Sequence, residues 1–252
     1  HLLQSAEALL PSLRGKAEIG QIPAIPTATA DLSAHDLIYC PQQQLSHLAD
    51  GVLQPLRHYL QSGGIFCVGA SPEATQLADL YTVRQELVVA MADLTDVPET
   101  EAMAASLLSE IEATENEIAG ETQKLCQSIF DLAKRLNYPL QNTGEIEAVH
   151  PLLTTPFLFG QLPKIHQRPV QAFCWGGLML LVSDLPQAWR ADSTWGLSRE
   201  TIRTAQEWGI NLLHYAWRRR QLMQHQQPQT SPDPRRSRQT LSSHVRPDSK
   251  SV

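Results

Sequence analysis

GGIFCVGASPEA, residues 63–74, decides the fold. The glycine pair ends whatever precedes it, because glycine takes the left-handed backbone of a helix stop without steric penalty. IFCVG is then an unbroken apolar run, as a strand covered on both faces requires. The small residues Ala70-Ser71-Pro72 close it with a turn. Upstream, SHLADGVLQPLRHYLQS (46–62) spaces Leu48, Val52, Leu56, Tyr59 and Leu60 as a helix does, with Ser46 as N-cap. Pro55 places the regular helix from about its own position onward, where a proline fits the first turn. HDLIYCP supplies a compact strand at 37–40, stopped by Pro41. Strand, helix, glycine pair and buried strand in this order make a βαβ unit, hence a mostly parallel sheet flanked by helices.

Working outward, LLQSAEALLPSL (2–13) carries a helical stripe at Leu2, Ala6, Leu9, Leu10 and Leu13 that Pro11 cuts short. EIGQIPAIP (18–26) is extended by proline restriction, with room for one short strand. ELVVAM (86–91) could add another. HPLLTTPFLFGQLP (150–163) is an ordered covering loop. Apolar runs at 170–175 and 178–183 flank Gly176-Gly177, the signal of a tight hairpin. A final helix opens at Ser198, carries Glu200 in its first turn and Arg218, Arg219 and Arg220 at its end, matching the helix dipole. Its buried stripe is Ile202, Ala205, Gly209, Leu212, Leu213 and Ala216, and mid-helix Gly209 implies a close neighbour.

Two segments differ in texture from this body. From Asp93 to Glu121 there are nine acids and no Lys or Arg. Within and just beyond it Leu107, Ile111, Ile118, Leu125, Ile129, Leu132 and Leu136 recur at helical spacing. Residues 99–137 therefore read as a helical insertion that either projects from the sheet domain or packs on its core, with Gly120 as a point of division into two helices. After Leu222 the chain is rich in Gln, Ser, Pro and Arg and has almost no apolar residues, the composition of a disordered tail. The domain plan is one α/β sandwich from 1–92 and 144–220, an acidic helical insertion at 93–143 and a disordered basic tail at 221–252.

The charge follows that plan. Residues 218–252 carry +6, leaving −12 on the other 217 of the 252. An apolar share of 42% and a charged share of 18% are those of an ordinary globular chain, and no run approaches the ~20 apolar residues of a membrane span. Cys40, Cys67, Cys126 and Cys174 form no CxxC pair and mostly lie in apolar runs, so they read as buried free thiols of a reduced, cytoplasmic compartment. Clustered Cys and His at zinc spacing are absent, as are GxGxxG and GxxxxGK[ST], so neither a metal nor another cofactor is expected. The chain opens on His1 rather than Met, which reads as the edge of a fragment.

Five stretches taken in order, HDLIYCP, LRHYLQSGGIFCVGAS, HPLL, SDLPQAW and ETIRTAQEWGINLLHYAW, resemble the bacterial family catalogued as domain of unknown function 4159. That family is similar in fold to the class I glutamine amidotransferase-like superfamily, so the resemblance implies a flavodoxin-like, Rossmann-like sheet. It covers most of residues 1–220 apart from the insertion, and it implies a first strand upstream of His1. It also implies where chemistry would sit. The amidotransferase cysteine stands on the turn after the strand matching 65–69, which here is Gly69-Ala70-Ser71-Pro72-Glu73 and holds no cysteine. Cys67 comes too early, inside the strand, where it reads as a small buried hydrophobe.

Ser71 is the remaining nucleophile candidate. A hydrolase elbow takes an oxyanion donor from the N–H after the nucleophile, and Pro72 has none. Glu73 stands where the elbow has its second glycine. Ser71 as N-cap with Pro72 as first helical residue accounts for the same residues. A Ser71–His150–Asp184 triad can be written, but spacing does not force it together. Gln42, Gln43, Ser71 and His150 are the candidates to line a ligand cleft at the strand ends, where α/β folds bind ligands. The reading that follows is a non-catalytic amidotransferase-like domain serving as an interaction or assembly module, with a protein partner on 99–137. The alternative is a hydrolase or amidotransferase-like enzyme using the cleft near Ser71. Arg235, Arg236 and Arg238 lack interleaved aromatics, so nucleic acid is not the expected partner. The residues give no oligomeric state.

Overall fold

A computed structural model describes residues 32–94, 101–140, 144–189 and 196–226. The stripe at 2–13, the extended stretch at 18–26 and the tail beyond Gln226 lie outside the described residues. The strands are β1 (Leu37–Pro41), β2 (Ile65–Ala70), β3 (Gly144–Glu145), the two-residue ribbon β4 (Lys164–Ile165) and β5 (Arg168–Pro169), β6 (Gln171–Trp175) and β7 (Leu178–Val182). The helices are α1 (Asp50–Gln61), α2 (Leu77–Leu94), α3 (Glu101–Arg135), α4 (Pro151–Thr154), α5 (Leu185–Trp189) and α6 (Arg199–Gln226). The main sheet runs β1-β2-β7-β6-β3. β1, β2 and β7 are parallel, while β6 is antiparallel to both β7 and β3. This is a mixed α/β chain with a mostly parallel sheet flanked by helices.

Strand alternation explains why IFCVGA is apolar throughout. Phe66, Val68 and Ala70 of β2, with Leu178, Leu180 and Val182 of β7, enter one core with Leu56, Tyr59 and Leu60 of α1 and Ile129 and Leu132 of α3. Ile65 and Cys67, with Met179 and Leu181, enter the other, against Leu152, Leu185, Ala205 and Trp208. Successive residues point to opposite faces and both faces are covered, so no position of β2 can be polar.

The glycine pair does what its chemistry allows. Gly63 has φ +96°, its N–H bonds Leu60 O, and Gly64 N–H bonds Tyr59 O, the two bonds of a Schellman stop. A Cβ on Gly64 would lie 2.3 Å from the Tyr59 ring. That ring is fixed, because the Tyr59 hydroxyl lies 3.0 Å from Asp36 O and 2.9 Å from Ile65 O. The β6–β7 hairpin turns at Gly176-Gly177 as expected, with Trp175 opposite Leu178.

Several local expectations need correction. The helix after β1 starts at Asp50, with Ala49 at its cap and no side-chain cap bond. Ser46 belongs to a preceding 3-10 stretch, Gln42–His47, where its hydroxyl donates to Gln43 O at 3.4 Å. Pro55 lies inside α1; exposed Gly51, four residues earlier, leaves the carbonyl that proline cannot serve to solvent. Residues 86–91 form no strand. They continue α2, which packs along α3, so the apolar run is covered by a helix instead of a sheet. Gly120 does not divide α3, which runs unbroken for 35 residues. α6 continues to Gln226, so Arg218–Arg220 are not its last turn. Arg220 turns inward, 7% exposed, and donates to His35 O at 2.5 Å and to Ser33 O.

The stripe along α3 divides in two. Ile118, Leu125, Cys126, Ile129, Leu132 and, just past the helix, Leu136 pack into the core beneath β2 and β7. Before Thr114 no residue of α3 is buried, and none of α2 beyond Tyr81 is either. The half-buried positions there (Leu87 and Met91; Ala104, Leu107 and Ile111) fall on three-and-four spacing, the seam of a two-helix hairpin. Arg84 ties the hairpin across, donating through Nε at 2.9 Å and Nη2 at 2.6 Å to Glu115 Oε1.

Candidate functional site

Parallel strands end side by side, and that brings the residues after them together. β1 is followed by Gln42, β2 by Ser71 and β7 by Ser183-Asp184. The ladder continues one step past β7, with Ser183 N–H donating to Ala70 O at 2.9 Å, and this draws Asp184 over the Ser71 turn. Ser71 Oγ donates to Asp184 Oδ1 at 2.5 Å. Asp184 is only 4% exposed, so its carboxylate depends on that hydroxyl. Ser71 does occupy the N-cap position of a short 3-10 helix, Pro72–Ala74, but makes no side-chain cap bond because the hydroxyl is turned to Asp184. Ser183 Oγ instead accepts from Leu185 N–H at 3.3 Å, at the start of α5.

Other groups at this edge are likewise engaged. Glu73 forms an ion pair with Arg168, lashing the β4–β5 ribbon to the turn. Tyr39 of β1 lies across Gly69, where a Cβ would come within 1.8 Å of its hydroxyl. Sequence reading missed this tyrosine; the only signal was a glycine at the end of an otherwise bulky strand. Burial pushes the Tyr39 hydroxyl well above the usual range, reinforced by Cys67, Cys40 and Asp184. Burial also pushes Cys40 up to about 11 and Cys67 higher still, with Cys174 and Cys40 adding to the latter. These thiols are held far from the reactive thiolate, and all four cysteines are free and buried.

The remaining candidates separate. Gln42 leaves the end of β1 and its Nε2 lies 3.5 Å from Ser128 Oγ on α3. Gln43 is exposed and is engaged through its backbone carbonyl. His150 caps α4: its Nδ1 accepts from Leu152 N–H at 3.2 Å, and its ring leans on Tyr215 with centroids 5.1 Å apart. Burial lowers its pKa, partly offset by Glu147. Among the described residues no hydrogen bond joins His150 to Ser71 or Asp184. The geometry thus brings together two members of the triad that can be written from the sequence and leaves the base elsewhere. What the pair can do is hold the ends of β2 and β7 in register.

Surface features gather on the hairpin instead. A groove of ≈ 320 Å³ opens between α2 and α3, lined by Gln76, Leu80, Glu117, Gly120, Glu121 and Lys124. Further out, Val83, Val88, Val89, Met103 and Leu108 are 37–59% exposed. Among the described residues no group of three or more His, Cys, Asp or Glu is placed to hold a metal ion, and no helix is long and apolar enough to cross a membrane.

No curated protein and no solved structure matches the chain. The family model described as Domain of unknown function (DUF4159) matches residues 9–217, which is most of the chain, and the chain belongs to that family.

Proposed function

We propose that the chain is a non-catalytic α/β scaffold, amidotransferase-like and flavodoxin-like in plan, that presents its α2–α3 hairpin to another protein. The observation that carries this is the bare outer half of the hairpin: five large aliphatic side chains at 37–59% exposure on two helices that bury nothing there. Full burial of one such side chain from water is worth about 1.5–3 kcal/mol, so a helix pair that leaves roughly half of each of five exposed forgoes part of that stabilisation at each unless a partner covers it. The unit that works this way is the stretch after Tyr81 and before Thr114, since the later part of the acidic insertion packs on the sheet. The engaged state of Ser71 and the missing N–H at Pro72 support the non-catalytic half of the reading.

A photo-crosslinking amino acid at Val88 in the native cell, with Val149 (78% exposed) as the control position, tests it. Discrete protein adducts at position 88 and none at 149 are expected; equal patterns at both would sink the interaction reading. Intact mass after fluorophosphonate treatment tests the enzyme alternative. Stoichiometric labelling that disappears in Ser71→Ala would establish an activated serine and overturn the non-catalytic half. The expected result is no labelling.

A further inference from the structure

Resting on that reading, we infer that the hairpin's occupant is a cationic amphipathic helix of a partner protein, seated on the α2–α3 face that carries Val88 and Leu108, which is distinct from the groove lined by Gln76, Leu80 and Lys124. The first step is geometric. At about 100° per residue, Val88 and Leu108 fall on the side of the α2–α3 seam marked by the Arg84–Glu115 ion pair, whereas Val83 and Met103 fall on the other. Val88 is 37% exposed and Leu108 51%, whereas Val89, 50% exposed, falls on the back of α2, away from the seam. Two antiparallel helices with an apolar residue rising from each make a groove that a third helix fills with a stripe at i, i+3, i+4 and i+7.

Charge decides which helix. From Leu77 to Glu121 the chain has eleven acids and one base, Arg84, which is already paired with Glu115. On the Val88–Leu108 flank the same arithmetic places Glu101 and Glu112, both exposed and neither ion-paired among the described residues. A second copy of the bare stretch between Tyr81 and Thr114, with seven acids and one base, would bring another net −6 against the first, and like charges across an interface cost several kcal/mol. The chain's own basic tail has the right sign but almost no apolar residues for the groove. A helix with an apolar stripe edged by Lys or Arg satisfies both demands, its cations reaching Glu101 and Glu112.

The test uses the full chain and three labelled synthetic helices of about 18 residues, long enough to hold helix when bound. One has a Leu stripe edged by Lys, the second the same composition scrambled, and the third Glu in place of Lys. Fluorescence anisotropy is expected to rank the Leu/Lys helix at least about tenfold tighter than either control, with weakening as salt rises. Glu101→Gln with Glu112→Gln, two exposed changes that leave packing alone, should weaken it severalfold. Val88→Glu with Leu108→Glu should remove it, with the circular dichroism melt confirming the fold. Equal binding of the scrambled helix, tighter binding of the Glu helix, no binding at all, or a concentration-dependent dimer that Val88→Glu abolishes would each overturn the inference. Discrete crosslinks at position 88 alongside any of these would leave the interaction reading standing and remove only the cationic helix.

Discussion

The strand ends and the helical hairpin answer the same physical demand in opposite ways. At the strand ends Ser71 is engaged with Asp184, Glu73 with Arg168, and the Tyr39 ring lies on the bare backbone of Gly69. A hydroxyl committed to a buried carboxylate is a strut, since moving its proton would leave that carboxylate unanswered. At the hairpin, the surface in excess is apolar and nothing described in the chain covers it. The Arg84–Glu115 ion pair across it joins side chains 40% and 48% exposed, and so contributes about 1 kcal/mol or less. A fold that satisfies its apparent active site internally and leaves an accessory helix pair unsatisfied directs attention to the accessory.

The largest effect that would break this comparison lies at Ser71. If the hydroxyl is a strut, Ser71→Ala leaves Asp184 buried without its side-chain donor and lowers stability by about 2 kcal/mol, read from urea unfolding. If Ser71 is a working nucleophile, the opposite sign is expected, because active-site groups are commonly held at a cost to stability that their removal relieves. A loss of about 2 kcal/mol keeps the contrast between the two regions. A gain, or a change below about 0.5 kcal/mol, removes it.

The same substitution made at the strand ends and on the exposed side of α3, just past the bare stretch, sharpens the contrast further. Gly120 of α3 has nothing within 4 Å of where a Cβ would stand, so Gly120→Ala should stabilise by about 0.5–1 kcal/mol through helix propensity alone. Gly69→Ala puts a methyl on the Tyr39 ring and must drive that side chain, already 40% exposed, off the strand end, with an expected loss of about 1 kcal/mol. Thermal melts of the two variants should therefore move in opposite directions. Melts that move together would show that the edge is no tighter than the exposed side of α3.

How much of this could be read in advance depended on the range of the signal. β2, the Schellman stop at Gly63-Gly64 and the β6–β7 hairpin were legible because each is written within about ten residues by alternation and glycine. The run at 86–91 misled, since Leu-Val-Val-Ala-Met fits a buried strand as well as a helix and only α3, further along the chain, decides between them. Arg220 and Asn211 were invisible for a related reason. A polar residue in mid-helix reads as surface, yet Asn211 is fully buried, giving Nδ2 hydrogen bonds to Leu152 O and Phe157 O and accepting one from Phe157 N–H. The contact between Ser71 and Asp184 spans 113 residues, and only the parallel pairing of β2 with β7 brings its two ends together.

The smallest expected effect concerns the residue that would have been the base. His150 serves α4 through an unprotonated Nδ1, which accepts the Leu152 N–H, and burial lowers its pKa against the partial opposition of Glu147. An unfolded histidine takes its proton at about pH 6.5, so as pH falls through that value the unfolded chain binds the proton before the native one does. This contribution to stability is whole above about pH 6.5 and is lost below it as the native ring is finally protonated and the cap bond breaks. His150→Asn keeps a capping oxygen and removes the titration. Unfolding measured at about pH 7.5 and about pH 5.5 should show a smaller acid loss in the variant, against a background in which His214, lowered by burial and by Arg218, titrates in both proteins. An identical acid loss would mean that the ring is a spectator at its own cap. A smaller one would fix His150 as a structural acceptor, whose lone pair is spent on a helix end and is not free to activate a serine.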